Sequence, residues 1–445
     1  MELNPKVINP SPGPISPATS FSSDAIVVLI IAWVARGLFM LLVTPLAQST
    51  DAHNWETLAN ILNAGGNLYH ATDSWPGLNW PPFWMQIVFV LSKISSLFSL
   101  PFFRVLQIFL IAVESVVIIF LIKLIREVAP EANARLLVIL GIALNPAAIL
   151  LTCQHCNFDV IVALWLVLFM LYLLRYHRTA NDADWLAACL FLGLGILTKT
   201  VPLVLIPMLA GGFRRTTTLY KSLGSFLLLG PVALGMSVIF VLFPADVIAN
   251  VLKYRSISNY FGVSGLFHMA GMDSLTPLYN HLFNLLLFTT MAATAIAFWR
   301  RPIEERKAVL FAALLLAAIP ALGPGYGPQY LYWYLPFLVA TYALFKGPWR
   351  AALIGFGLIA ACTYLFEYAI LGSDGAALIN TLVYVEHDQA DAVSVVKVIG
   401  RFQDYAGQTI MRLPLFAAYL VLLATGAIVL LRRPKDITPP LSSQG

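Results

Sequence analysis

The sequence contains few charged residues. Asp, Glu, Lys and Arg make up only 11% of the 445 residues, whereas 59% are hydrophobic. Soluble domains carry roughly 25% charged residues, so this composition is typical of a membrane protein. The formal net charge of +5 is small and is divided among short clusters between apolar runs. It therefore gives no indication of nucleic-acid binding.

Cysteine is scarce as well, which excludes a disulfide framework. The four cysteines are Cys153, Cys156, Cys189 and Cys362. The first two flank Gln154 and His155, and this cluster could bind a metal or cycle between redox states. However, no second pair completes a zinc site, and small apolar cysteines are common at helix ends. We therefore expect no cofactor and no divalent metal.

The N-terminus lacks the pattern of a cleavable signal peptide. Residues 1–22 are rich in Pro and Ser without an apolar core, which predicts a disordered cytoplasmic tail and a first apolar segment that is retained as a span. No repeat of fixed period and no soluble domain is evident. We expect one transmembrane domain over 23–432, followed by a cytoplasmic tail over 433–445.

Apolar runs fill most of this domain, and many are long enough to cross about 30 Å of hydrocarbon. They lie near residues 25–46, 102–124, 134–152, 158–176, 222–243, 282–299, 306–322, 329–345, 349–371 and 413–431. Two shorter segments within 185–211 are separated by Lys199. The pattern predicts an all-α polytopic membrane protein with about twelve transmembrane helices.

Lys and Arg are missing from one loop, 48–81. Because cytoplasmic loops collect Lys and Arg, this loop is expected outside. The next run, 82–98, is marginal in length and contains Lys93. If it forms an interfacial helix in this first outer loop, the later basic clusters all fall inside, so we predict that arrangement. Both termini are then cytoplasmic, and outer loops 47–101, 244–281 and 372–412 surround an extracytoplasmic site.

Asp51 follows a nearly unbroken apolar run and is expected at the rim of the membrane. A carboxylate is costly there unless it has a function or a partner. Trp55, Leu58 and Leu62 continue at helical spacing until Gly65, which predicts an amphipathic helix on the membrane surface. Asp51 is interpreted either as the helix N-cap or as a functional acid.

Two cations also need an explanation. Arg36 lies near the middle of the first span, and we expect its partner to be the Asp51 region or a lipid phosphate. Lys199 separates two short spans, an arrangement that either kinks the chain or opens around a ligand. Further polar and aromatic side chains are expected on the same outer face: Tyr69, Trp80, His155, Asn157, Asp159, Lys253, Arg255, Gln329, Tyr330 and Trp333. For the tryptophans, an interfacial aromatic belt is the alternative.

These features, in this order, resemble the GT-C superfamily of membrane glycosyltransferases over about residues 25–345. Arg36 precedes Asp51, and GGNLYHATDSWPGLNWPPFW, NPAAILLTCQHCNFD and LTKTVPLVLIP are similar to motifs of the family. The resemblance is strongest to the mannosyl- and glucosyltransferases that use polyprenyl-phosphate sugars. Some branches of the superfamily have an Asp-Asp or Glu-x-Asp pair where this sequence has a single acid, so a metal is not expected.

The resemblance implies that a hexose is transferred from a polyprenyl-phosphate-linked donor to a lipid or glycan acceptor, with inversion and with Asp51 as general base. We expect a monomer. The residues expected at the donor phosphate are Arg36, His155, Lys199, Lys253 and Arg255. Those expected at the sugar or acceptor are Tyr69, Trp80, Asn157, Asp159, Gln329, Tyr330 and Trp333.

A transporter or flippase of isoprenoid-linked or amphiphilic substrates is the alternative, since broken spans and buried cations suit it too. No inverted repeat is evident, however, and the polar residues gather at one face instead of at the midplane. A purely structural subunit would leave this clustering unexplained.

Overall fold

A computed structural model of the chain describes residues 23–42, 50–72, 77–252, 261–300, 304–367 and 405–432. Within these ranges the protein is helical and has no β-strand, which confirms the predicted all-α class. Both predicted tails, and most of the predicted outer loop 372–412, lie outside the described residues.

The described helices follow the predicted apolar runs closely. In chain order they are α1 (Ser23–Leu42), α2 (Thr50–Asn63), α3 (Phe83–Phe98), α4 (Phe102–Val128), α5 (Ala134–Val138), α6 (Pro146–Cys153), α7 (Asp159–Thr179), α8 (Asp182–Thr198), α9 (Ala210–Arg215), α10 (Thr218–Leu242), α11 (Pro244–Val247), α12 (Gly262–Met269), α13 (Thr276–Arg300), α14 (Glu305–Leu322), α15 (Leu331–Leu344), α16 (Pro348–Phe366) and α17 (Tyr405–Leu431). Shorter π-helical segments occupy Ile139–Ala143 and Ile248–Leu252, and 3₁₀ segments occupy Val201–Leu209, Asp273–Leu275 and Pro328–Tyr330.

The protein is a multi-pass membrane protein. In the described part of the chain, seven helices are long and apolar enough to cross a membrane, or eight if the pair Ala134–Ala143 and Pro146–Cys153, bent by 54°, is one span. The predicted number of twelve is not reached by helices of that length and composition. The shortfall arises because α8 and α15 have only 17 and 14 residues, and because α14 begins with three consecutive charged residues.

The centre of the bundle is α7, which packs against α4, α8 and α15. Apolar residues lie on all of its sides and 15 of its 21 residues are buried, as expected for a helix surrounded by other helices. In contrast, α10 and α13 leave leucines such as Leu234 (70% exposed) and Leu285 (65% exposed) facing outwards. These side chains face the lipid.

Arg36 is fully buried and is paired within the bundle. Its Nη2 donates to Glu114 Oε1 at 2.7 Å and to the Ile142 carbonyl at 3.1 Å, and its Nε also donates to Glu114. Tyr332 donates its hydroxyl proton to the same carboxylate. The prediction that Arg36 is satisfied by the Asp51 region or by a lipid phosphate is therefore wrong. A guanidinium inside the membrane needs an anion, and Glu114 of α4 supplies it.

The chain breaks at the predicted position around Lys199. Helix α8 ends at Thr198, Lys199 has extended backbone angles (φ −157°, ψ 145°), and the 3₁₀ segment begins at Val201 with Pro202 in its first turn. Proline lacks an amide proton and does not continue a helix from the preceding turn. The break places the Lys199 side chain at one end of α7 and α8.

Helices α8 and α10 cross very closely at Gly193. A Cβ atom at this position would lie 2.6 Å from the Leu228 carbonyl oxygen and 2.7 Å from that of Leu227. Because backbone cannot yield as a side chain can, we expect Gly193→Ala to reduce the free energy of unfolding by about 1–3 kcal/mol, measured by denaturant titration in detergent micelles. Gly355→Ala in α16 is the matched control, since nothing lies within 4 Å of its added Cβ. Equal stability of the two variants would contradict the close crossing.

Candidate functional site

Asp51 lies in the first turn of α2 and contacts a segment about a hundred residues away. His155 Nε2 lies 2.6 Å from Asp51 Oδ2, and Asn157 Nδ2 donates to the same oxygen at 2.8 Å. The Asp51 side chain is 29% exposed, whereas that of His155 is 9% exposed. His155 and Asn157 therefore hold the Asp51 carboxylate from its buried side, while its other side is exposed.

The turn between α6 and α7 presents both partners of Asp51. Here Cys156 adopts a left-handed backbone conformation (φ 53°), which is uncommon for a residue other than glycine. Asn157 Oδ1 accepts a hydrogen bond from the Asp159 amide at 3.1 Å, so its amide group is fixed. The Trp55 indole donates to the Cys156 carbonyl at 3.0 Å, which fastens α2 to the turn.

Cys156, the cysteine of this turn, is a neutral thiol. Cys156 is buried, and its thiol donates weakly to the carbonyls of Thr152 and Cys153, each at 3.6 Å. Burial raises the pKa of Cys156 well above its usual value, so the thiol stays protonated and is a poor nucleophile. Among the described residues, no group of three or more His, Cys, Asp or Glu side chains is arranged to hold a metal ion.

Beside Asp51 lies a buried ion pair. Lys199 Nζ donates to Asp159 Oδ1 at 2.7 Å, and both side chains are 1% exposed. Asp159 is the first residue of α7, and Lys199 follows the last residue of α8. The pair therefore joins the two helix ends beneath the turn that holds Asp51.

Four aromatic rings surround the Lys199 ammonium. Nζ lies 4.3 Å from the ring centroid of Trp80 and 5.0 to 5.2 Å from those of Phe158, Tyr330 and Trp333. Each distance falls within cation–π range. Tyr330 and Trp333 also stack on each other, with their centroids 4.1 Å apart. The rings and Asp159 together stabilise a cation that would otherwise be too costly to bury.

The charges around Asp51 favour its ionised form. Burial by itself would raise the pKa of the Asp51 carboxyl. The His155 ring and the Asn157 amide outweigh that effect, and the nearby Lys199 ammonium adds to them. The pKa of Asp51 is consequently lowered below its ordinary value, because charge and hydrogen bonds stabilise the anion. At neutral pH the Asp51 carboxylate is therefore ionised.

The structure brings together most of the side chains that the sequence singled out. Those gathered around one region are Asp51, Trp80, His155, Asn157, Asp159, Lys199, Tyr330 and Trp333. Gln329 directly precedes Tyr330 in the chain and is half-buried. Its Oε1 atom has no hydrogen-bond partner in the described part of the chain. Lys253 and Arg255 lie outside the described residues.

Arg36 and Tyr69 do not fit their expected roles. Arg36, predicted at the donor phosphate, is occupied by Glu114 inside the bundle. Tyr69, predicted at the sugar or acceptor, is completely buried and lies against Phe243, and Asn250 donates to its carbonyl. Tyr69 therefore anchors the first loop to the segment that follows α10. The sequence did not distinguish this anchor from a binding residue because both are aromatic side chains in an outer loop.

Sequence reasoning missed Arg104 and Gln107, which lie near the start of α4. Arg104 Nη1 donates to Gln107 Oε1 at 2.9 Å and to the Met40 carbonyl at 3.1 Å. Gln107 in turn donates to the Cys153 carbonyl at the end of α6. This chain of hydrogen bonds positions the turn that carries His155. The feature of the sequence that could have identified them is Arg104, a charged residue in the first turn of the apolar helix α4.

The comparisons with known proteins give a likeness of fold. No family model and no curated protein matches the chain. Among solved structures, ArnT from Cupriavidus metallidurans bound to undecaprenyl phosphate matches with a TM-score of 0.50 and 18% identity, over 91% of this chain and 77% of that one. The same protein in the apo state matches with a TM-score of 0.47 and 18% identity, over 90% and 77%. The fold of this chain is thus similar to that of ArnT.

Proposed function

We propose that this protein is a GT-C-type glycosyltransferase that uses a polyprenyl-phosphate-linked sugar. The sugar is a hexose of the mannose or glucose type, and the acceptor is a lipid or glycan on the extracytoplasmic side. The observation that carries the proposal is the contact of the partly exposed Asp51 carboxylate with His155 and Asn157. The likeness in fold to ArnT, which has been crystallised with undecaprenyl phosphate, supports a polyprenyl lipid as the carrier.

The proposed reaction is a single displacement. The acceptor hydroxyl gives its proton to Asp51 as its oxygen attacks the anomeric carbon from the face opposite the phosphate. The bond between that carbon and the phosphate oxygen breaks, the polyprenyl phosphate leaves with the electron pair, and the configuration inverts. Removal of the proton by a positioned carboxylate contributes typically 10²- to 10⁴-fold in rate.

The two oxygens of Asp51 have different surroundings. Oδ2 receives both contacts, from His155 and Asn157, whereas Oδ1 receives no hydrogen bond from the residues that the structure describes. We assign Oδ1 as the atom that takes the acceptor proton. His155 and Asn157 then orient the carboxylate, a role different from the phosphate contact expected for His155.

Lys199 is assigned to the architecture of the site. Its charge is balanced by Asp159, and its ammonium is enclosed by aromatic rings, which leaves it poorly placed to hold a bulky phosphate. Trp80, which is half-buried, is the candidate sugar-stacking ring, whereas Tyr330 (9% exposed) and Trp333 (1% exposed) are buried against Lys199. Lys253 and Arg255 stay candidates for the donor phosphate.

The proposal includes a membrane arrangement. The chain crosses about twelve times as a monomer, with both termini cytoplasmic and with α3 in the outer interface. Each of the short helices α8 and α15 then crosses the membrane together with the 3₁₀ segment next to it. Basic residues at the membrane face opposite Asp51 favour this orientation.

Product formation tests the function directly. The purified full-length protein is reconstituted in liposomes with an isotopically labelled mannosyl or glucosyl polyprenyl phosphate and a membrane lipid extract as acceptor, and products are analysed by mass spectrometry. We expect a labelled glycolipid or glycan with inverted linkage. Movement of intact donor between leaflets, without a new glycosidic product, would instead establish the flippase alternative.

The pH dependence of transfer tests the role of His155. A base works only when it is ionised, so a lowered pKa of Asp51 moves the acidic loss of activity to lower pH. Replacement of His155 by Gln removes the imidazole ring whose interaction lowers the pKa of Asp51. We expect the acidic limb of the kcat/KM profile to move upward in pH in His155→Gln, with activity partly restored at alkaline pH. An unchanged profile would show that His155 does not lower the pKa of Asp51.

A further inference from the structure

A second cluster of basic side chains lies at the other end of α7, far from Asp51. His177 follows Asp159 by eighteen residues along α7, which is about 27 Å at 1.5 Å per residue. It meets α9 and the C-terminal end of α13. Nothing in the proposed reaction uses these residues.

The cluster surrounds a small cavity of about 20 Å³, which holds a group the size of a water molecule or a phosphate oxygen. Its lining residues are His177, Gly211, Arg214, Arg215, Phe298 and Trp299. A Cβ atom at Gly211 would lie 3.0 Å from the Phe298 carbonyl oxygen and 3.5 Å from His177 Cε1. The glycine therefore lets α9 approach α13 while the cavity stays open.

The polar groups of this cavity are incompletely satisfied. His177 Nδ1 is buried and has no hydrogen-bond partner among the described residues. Arg214 Nη1 donates to the carbonyls of Trp299 at 2.9 Å and Arg300 at 3.3 Å. Arg215 is exposed and forms no ion pair in the described ranges. The nearby acid, Glu305, is already held by Arg178.

A groove lined mostly by apolar side chains shares Trp299 with the cavity. It has a volume of about 500 Å³, within the range of small-molecule sites. Its lining residues are Ala210, Ala295, Ile296, Trp299 and Arg300. Trp299 belongs to both the cavity and the groove and is 49% exposed. Small side chains between α9 and α13 thus leave a slot that opens toward lipid.

We propose that the cavity and the groove together bind one anionic phospholipid from the membrane leaflet opposite Asp51. A phosphate oxygen accepts hydrogen bonds at His177 and Arg214, Arg215 supplies further positive charge, and an acyl chain fills the groove. Basic pockets between transmembrane helices bind such headgroups, with about 1 kcal/mol per basic residue near the surface. Trp299 lies at the junction, where indole rings favour the headgroup level. This site does not depend on the proposed glycosyl transfer.

Native mass spectrometry of the full-length protein, released from bilayers of mixed phosphatidylglycerol and phosphatidylcholine, tests the proposal. We expect one phosphatidylglycerol to be retained by the unaltered protein, with affinity reduced at least about 10-fold in Arg214→Gln/Arg215→Gln. Lys123→Gln/Lys346→Gln is the matched control. It removes the same charge from exposed side chains outside the cavity and the groove and is expected to change affinity by less than about twofold.

A second variant tests the acyl chain. Ala295→Trp fills the groove without changing charge, and we expect it to weaken binding of dioleoyl phosphatidylglycerol but not of a short-chain analogue. The elution profile and unfolding midpoint of each variant establish that it is folded. Three outcomes would overturn the proposal: equal losses in the arginine and lysine variants, equal retention of phosphatidylcholine, or displacement of the lipid by millimolar inorganic phosphate.

Discussion

Replacement of Asp51 by asparagine is expected to reduce sugar transfer by about 10²- to 10⁴-fold, with donor binding and folding nearly unchanged. Asparagine has almost the shape of aspartate, so α2 and its contact with the α6–α7 turn are retained. It cannot accept the acceptor proton, however. Single-turnover rates with labelled donor, together with donor affinity measured separately, distinguish loss of the base from loss of binding.

Glu56→Gln is the control for this experiment. Glu56 lies on the same helix as Asp51 but is exposed to solvent, so the variant makes the same change of charge outside the site. We expect activity within about twofold of the unaltered protein. If Asp51→Asn and Glu56→Gln both retain the turnover of the unaltered protein, Asp51 is not the base.

Lys199→Met is expected to reduce the free energy of unfolding by about 3–5 kcal/mol. Methionine fills a similar volume among the aromatic rings, so packing is largely retained. The cost arises from Asp159, whose carboxylate is 1% exposed and would lose its cationic partner. An unpaired charge in a buried environment is strongly destabilising. Denaturant titration in detergent micelles measures the effect.

A double variant separates the charge from the packing. Lys199→Met/Asp159→Leu removes both charges, and we expect it to recover most of the lost stability, since an apolar pair can replace a buried ion pair. Arg135→Gln is the surface control. The Arg135–Asp24 pair has side chains that are 48% and 33% exposed, and its loss should cost at most about 1 kcal/mol. A double variant no more stable than Lys199→Met would show that the charges are not the cause.

Local features of the structure were predictable because they depend on short stretches of chain. The helix that follows Asp51 ends as expected: α2 stops at Asn63, and Gly65 has a φ of +70°, a conformation that favours glycine. The break at Lys199 also lies where it was predicted, between two short apolar segments. In both cases neighbouring residues decide the backbone.

The number of spans was harder to predict. A run of apolar residues reports hydrophobicity but not whether the backbone stays straight or how long the helix is. The run 134–152 is one segment in the sequence, yet Pro146 starts a new helix there and the two parts are bent by 54°. Similarly, α15 is only 14 residues long because a 3₁₀ turn precedes it.

By itself the sequence determined the membrane environment, the all-α class and the set of polar side chains that need partners inside a membrane. It did so because hydropathy and turn chemistry are properties of neighbouring residues. Only the tertiary structure decided how those side chains pair. Arg36 is neutralised by Glu114, not by a phosphate or by Asp51, and Asp51 is oriented by His155 across 104 residues. Each charge needs a partner wherever water is excluded, but which partner comes within reach is set by the packing of the helices.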